Sequence, residues 1–181
     1  MRLPLFLLLV AAMFVCAGLP AQGGEISDDV PSGFREIRLG LDIDTVKDRL
    51  QADPYFDYQG DPDVVLLQQR DQSLIECPGN SYVERSYLQF FEGSLYIITL
   101  LLDRSKIDYY TVFSSLSKKY GDPTDLNPRE AVWVFDEVRL SVERPLSVKY
   151  IDRDVFQLLN REAAEGDQLR QISKEQFLDQ L

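Results

Sequence analysis

Acid–base chemistry in this chain has to come from carboxylates, because the sequence contains no histidine. That removes Ser-His-Asp and Cys-His catalysis, histidine zinc sites and histidine pH switching. Three close acidic pairs stand out: Asp42/Asp44, Asp61/Asp63 and Asp152/Asp154. Two carboxylates flanking a glycosidic bond are the minimum equipment for its hydrolysis. A hard cation such as calcium needs more, a closing loop with several further oxygens. None of the three pairs runs on into a calcium-loop pattern, and among 30 acidic residues close pairs are unavoidable. Asp42 and Asp152 stand where helix caps are needed. There is no Gly-rich phosphate loop and no cysteine cluster. The residues therefore assign no catalytic group, no metal ligand and no cofactor, and the chain reads as non-enzymatic. A hydrolase with two convergent carboxylates is kept as an alternative. So is a binder of a small apolar ligand held between sheet and helices.

Contact chemistry has a better candidate in Asp53-Pro54-Tyr55-Phe56-Asp57-Tyr58. Three aromatic rings sit between two turn signals, and aromatic side chains on loops often anchor partners. Tyr55, Phe56 and Tyr58 are thus the candidate partner-contact residues. The plainer reading, that the rings fold back to close one edge of the core, takes precedence. Cys77 follows Leu74 and Ile75 in an apolar strand and is expected to be a buried, inert thiol. Trp133 shares an alternating strand with Phe135 and is expected in the core.

An address precedes these features. Arg2 is followed by an uncharged run from Leu3 to Val15, then by small residues and Pro20 up to Gly24. A basic start, a short apolar core and a small-residue exit make the pattern of a signal peptide over residues 1–23. Val15-Cys16-Ala17, Leu19-Pro20-Ala21 and Ala21-Gln22-Gly23 compete as the exit. The run is shorter than a bilayer-spanning helix, and a Val before Cys16 does not favour lipidation. Cleavage leaves about 160 residues, one domain's worth, with no later stretch of membrane-spanning length. Cys77 is then the sole cysteine, so the mature chain depends on its apolar core rather than on disulfides. A bacterial periplasm suits that usage. The net charge of −11 argues against binding a nucleic-acid backbone or an anionic membrane.

The elements that must position all this are legible in outline. Residues 24–33 read as a flexible lead-in and Phe34–Leu39 as a first strand. Asp42 opens a helix with Ile43, Val46 and Leu50 on one face. A loop covers residues 51–63. Strands are expected at Val64–Gln69 and Ser73–Cys77, then a hairpin of Tyr87–Phe91 and Leu95–Leu102 around Glu92-Gly93-Ser94. The nearly continuous apolar run Ile97–Leu102 reads as a strand buried on both faces. Asp108–Tyr120 is the clearest helix, with Asp108 as N-cap and Gly121 closing it. A second meander follows at Val132–Phe135, Val138–Val142 and Ser147–Ile151. Asp152 caps a further helix, and Ser173-Lys174-Glu175-Gln176 has capping-box spacing in a helical tail over residues 166–181. The globular part is placed at residues 34–165. The class is α+β: antiparallel meanders packed with helices, as two loose helix–meander units.

Gly40-Leu41-Asp42-Ile43-Asp44-Thr45-Val46, ending its turn at Leu50, resembles the helix opening of BamE-type domains. Those are small periplasmic modules of the outer-membrane barrel assembly machine, and related folds occur in β-lactamase inhibitory proteins. Phe91-Glu92-Gly93-Ser94-Leu95 is similar to the meander turn of such domains. Leu116, Lys119-Tyr120-Gly121-Asp122-Pro123 and Trp133 resemble segments common in exported bacterial proteins. The resemblance implies a non-catalytic interaction module of the envelope and carries over no binding residue. The expectation is an exported periplasmic or secreted adaptor whose partner is another envelope protein.

Overall fold

The structure, a computed structural model, describes residues 30–60, 64–66 and 71–178. The leader expected over 1–23, most of the 24–33 lead-in and the Asp61/Asp63 pair lie outside those residues.

The chain enters through a tight hairpin, β1 (Gly33–Phe34) and β2 (Ile37–Arg38), where a single strand over Phe34–Leu39 was expected. The reversal occurs at Arg35, whose φ of 56° is uncommon for a non-glycine residue. Tertiary contacts hold the tip in place. Arg35 Nε donates to Asp53 Oδ2 at 2.6 Å, and the Arg49 guanidinium donates to the Glu36 carbonyl.

Two helices are started by the same device. In α1 (Ile43–Ala52), Asp42 accepts the Thr45 backbone N–H at 2.9 Å and the Thr45 hydroxyl at 2.7 Å. In α2 (Tyr109–Tyr120), Asp108 does the same with Thr111 at 2.9 and 2.7 Å. The residues behind the caps also match. Val46 and Leu50 follow the first, Val112 and Leu116 the second, and both valines are buried. The pattern Asp-x-x-Thr-Val-x-x-x-Leu thus occurs twice, each time placing one cap and one buried stripe. Gly121 ends α2 with φ at 81°, a left-handed closure that a side chain would oppose.

Each helix leads into a four-stranded meander. The first comprises β3 (Val64–Leu66), β4 (Gln72–Pro78), β5 (Val83–Phe91) and β6 (Ser94–Leu102). The second comprises β7 (Asp125–Leu126), β8 (Glu130–Val134), β9 (Val138–Glu143) and β10 (Ser147–Asp152). All pairings are antiparallel, in the order β3-β4-β5-β6-β10-β9-β8-β7. The last strands of the two units meet at the centre, with Ile98 opposite Tyr150 and Thr99 opposite Lys149. This is the α+β arrangement of two helix–meander units read from the sequence. The strand β5 begins at Val83 rather than Tyr87, because a register shift between Val83 and Arg85 interrupts its alternation. The short β7 was not anticipated.

Side-chain alternation divides the sheet into two faces. Leu88, Phe90, Ile98, Leu100, Leu140, Val142, Val148 and Tyr150 join Val46, Leu50 and Val112 in the main core. Cys77 is buried there, as expected. On the opposite face, Tyr96, Ile97 and Ile151 form a smaller cluster under Val155 and Leu159 of α3 (Arg153–Leu178). The strand β6 therefore carries core on both sides, which is why its sequence is almost uninterruptedly apolar. Away from α3 that second face is laced by cross-strand ion pairs: Arg85 with Glu76, Arg139 with Glu130 at 2.8 Å and Lys149 with Glu143 at 2.6 Å.

Asp152 caps α3, accepting the Asp154 and Val155 N–H groups at 3.0 Å each. The helix then runs unbroken across the 165/166 boundary and through Ser173, where a new start was expected. Ala163, Ala164 and Glu165 are strong helix formers, and the lone Gly166 costs only about 1 kcal/mol relative to Ala. Among the described residues, no helix is long and apolar enough to cross a membrane.

Candidate functional site

The aromatic loop is built into the wall of the core. Phe56 is 5% exposed, and Tyr55 and Tyr58 are half-buried against the same cluster. The ring of Phe34 meets Tyr55 and Phe56 edge-on at 6.2 and 6.1 Å, and the Arg35 guanidinium lies 4.9 Å from the Tyr55 ring centroid. The backbone is tied to the turn between β4 and β5. Asn80 N donates to the Tyr55 carbonyl at 2.8 Å, and Asp57 N donates to that of Pro78 at 2.9 Å. The loop therefore closes the core beneath β1 and β2, with Tyr55 and Tyr58 only partly exposed.

Of the described acidic pairs, Asp42 and Asp152 hold helix N-termini, as does Asp108. Bonds from the Thr45 side chain and backbone lower the Asp42 carboxyl below its ordinary range, and those from Thr111 do the same for Asp108. Asp103 is held down to about 2, by Lys106 first and then by Ser105. Hydrogen bonds to the charged form cause all three shifts. A general acid would need the opposite shift. Among the described residues, no three cysteine or acidic side chains converge as a cation site.

The second unit carries a groove at the N-terminal end of α2. It has a volume of about 470 Å³ and is lined by Asp108, Tyr109, Tyr110, Phe113, Leu126 and Arg144. Tyr109 and Phe113 lie parallel, 6.5 Å apart, and Tyr110 tilts against Phe113 at 6.5 Å. The Arg144 guanidinium covers the Tyr109 ring at 4.3 Å, a cation–π contact. The Tyr109 hydroxyl donates to the Val142 carbonyl at 3.3 Å, which fixes the ring on the sheet, and burial raises its phenol's pKa. Phe113 in turn packs on Trp133 at 6.1 Å.

Two residues make this groove unusual. Tyr110 is 73% exposed and Leu126 is 62% exposed, the highest values among the exposed large apolar side chains described. Both point into the same concavity. The sequence alone assigns Tyr110 and Leu126 no role. The available signal was an aromatic residue just off the apolar stripe, with a leucine standing alone between Asp125 and Asn127. A second concavity, about 590 Å³, lies on the other face of the sheet under α3. Its wall mixes Phe91, Tyr96 and Leu159 with Gln72, Gln89 and Asn160.

A family model described as the TP0088 domain matches residues 32–162, and the chain belongs to that family. The match runs from the β1–β2 hairpin through the sheet and α2 into the early turns of α3. No curated protein matches the chain, and neither does any solved structure.

Proposed function

We propose that this member of the TP0088 domain family is an exported, non-catalytic adaptor of the bacterial envelope that docks a protein partner in the groove between α2 and β7. One observation carries the reading: Tyr110 and Leu126 stand exposed in a single groove beside stacked Tyr109 and Phe113 and the Arg144 guanidinium. Tyrosine and arginine are the side chains most often found at the energetic centre of protein interfaces. Large apolar side chains gathered in one place favour a covering partner over water. The capping duties of Asp42, Asp108 and Asp152 support the non-catalytic part. The leader pattern over residues 1–23 supports export, and with it a partner that is another envelope protein. The acidic chain favours a partner whose apolar plug carries a basic rim.

The test is site-specific photo-crosslinking in whole cells, with a benzophenone side chain at position 110 and, as a control, at position 174. The expected result is one adduct of discrete mass from position 110, lost when Leu126→Asp is added. An adduct that survives Leu126→Asp, or one formed equally from position 174, overturns the groove. Recovery of the intact chain, leader included, from cytosolic fractions overturns the export part.

A further inference from the structure

We propose that the cavity between α3 and the sheet face beneath it is a binding site for a neutral saccharide of one or two rings. Its volume, about 590 Å³, falls in the range of small-ligand sites. Residues from four elements converge on it: Gln72 from β4, Gln89 and Phe91 from β5, Tyr96 from β6, and Phe156 and Asn160 among those from α3. Backbone irregularity brings Tyr96 there. Gln89 faces Ile97 and Phe90 faces Leu95, so Tyr96 is the extra residue of a bulge. Its side chain consequently joins Ile97 on the α3 side. Bulges re-aim side chains in this way next to functional sites.

The polar groups define the ligand class. The Tyr96 hydroxyl donates to Gln89 Oε1 at 3.2 Å, which orients that amide and leaves its NH₂ without a hydrogen-bond partner among the described residues. Burial raises the Tyr96 pKa, so the phenol remains a donor. The amides of Gln72 and Asn160 are likewise without described partners. Each amide offers a donor and an acceptor, the same pair that a sugar hydroxyl presents. Phe91 and Phe156 supply flat apolar faces for the C–H side of a pyranose ring. Charge selects against ionic ligands. Glu162 and Arg170 bring opposite signs to the wall, and Arg170 is already bonded to Asp167 at 2.9 Å.

This site lies on the opposite face of the sheet from the groove, so the two readings stand or fall separately. The test is an NMR titration of the full chain with cellobiose, maltose and chitobiose in turn, and with the apolar dye anilinonaphthalene sulfonate. At least one disaccharide should give saturable shifts in the side-chain NH₂ groups of Gln89 and Asn160 and in the Tyr96 amide, with Kd of about 1 mM or tighter. The amides of Tyr110 and Leu126 should not move. Gln89→Leu and the exposed Phe156→Ala should each weaken binding at least tenfold while keeping a folded spectrum. The proposal is overturned if no disaccharide moves these signals at about 10 mM. It is also overturned if only the dye does so, or if both variants bind like the parent chain.

Discussion

Trp133→Phe should lower folding stability by about 3 kcal/mol, a figure that follows from two features of its site. Trp133 is 2% exposed and packs on Phe113 at 6.1 Å. Its Nε1 donates to the Gly121 carbonyl at 2.9 Å. A phenyl ring keeps the six-membered part of the indole and loses the rest, two to three carbons' worth of burial. At about 0.8 kcal/mol per methylene this is about 2 kcal/mol. The lost hydrogen bond adds about 1 kcal/mol, at the low end because Gly121 is half-buried and water can re-pair its carbonyl. For a domain of this size the fall in Tm is about 6–12 °C. Trp133 is the only tryptophan, so the variant loses tryptophan fluorescence and its stability is read by far-UV circular dichroism in urea. Gly121 closes α2, so amide exchange should also accelerate at the end of that helix. A loss below about 1 kcal/mol with an unchanged m-value would refute the reasoning. It would mean that the Gly121 bond and the indole packing are replaceable.

Three further outcomes are expected. Tyr110→Ala and Leu126→Ala should each change stability by less than about 0.5 kcal/mol in urea melts, since both side chains are exposed, and Leu126→Ala should cut the yield of the adduct formed from position 110 at least tenfold; a folding defect in either would show that the groove is core rather than surface. Asp103 is held at about 2, below the unfolded value of about 3.9, so its contribution is present above about pH 4 and lost as pH falls toward 2. Asp103→Asn should therefore lower Tm at pH 7 and flatten the decline of Tm between pH 4 and 2.5, and an identical acid profile would contradict the Lys106 and Ser105 bonds. Burial raises the Tyr150 phenol above its unfolded value of about 10, so stability is full below pH 10 and falls as pH rises beyond it. Tyr150→Phe keeps the ring and should reduce alkaline destabilisation; melts at pH 8 to 11 that superimpose on the parent's would argue against that burial.

Much of the architecture was legible because it is written locally. Asp42 and Asp108 announce helix starts through side-chain bonds that reach only three residues. Gly121 and Pro123 announce an ending, and Val138, Leu140 and Val142 announce a face by alternation. The Asp-x-x-Thr-Val-x-x-x-Leu pattern at residues 42–50 and 108–116 spells out the duplication directly. The false restart at Ser173 shows the reverse. A capping box signals a start only where the preceding turn has already ended, and nothing before Ser173 ends it. The single strand expected over Phe34–Leu39 failed for a different reason: Arg35 turns the chain back while held by Asp53, 18 residues away.

The amino-acid order by itself determined the class of element, the caps, the turns and which side of each strand would be apolar, because those depend on neighbours within a turn or two. Tertiary structure alone decided that β6 and β10 would meet, joining two meanders into one sheet, since that pairing depends on contacts between residues 46 to 54 positions apart. It also decided which aromatic residues stay uncovered. Tyr55 and Tyr110 are both tyrosines beside a turn or helix start. One is roofed by a hairpin from a distant part of the chain and the other is not, and exposure is a property of what else folds nearby.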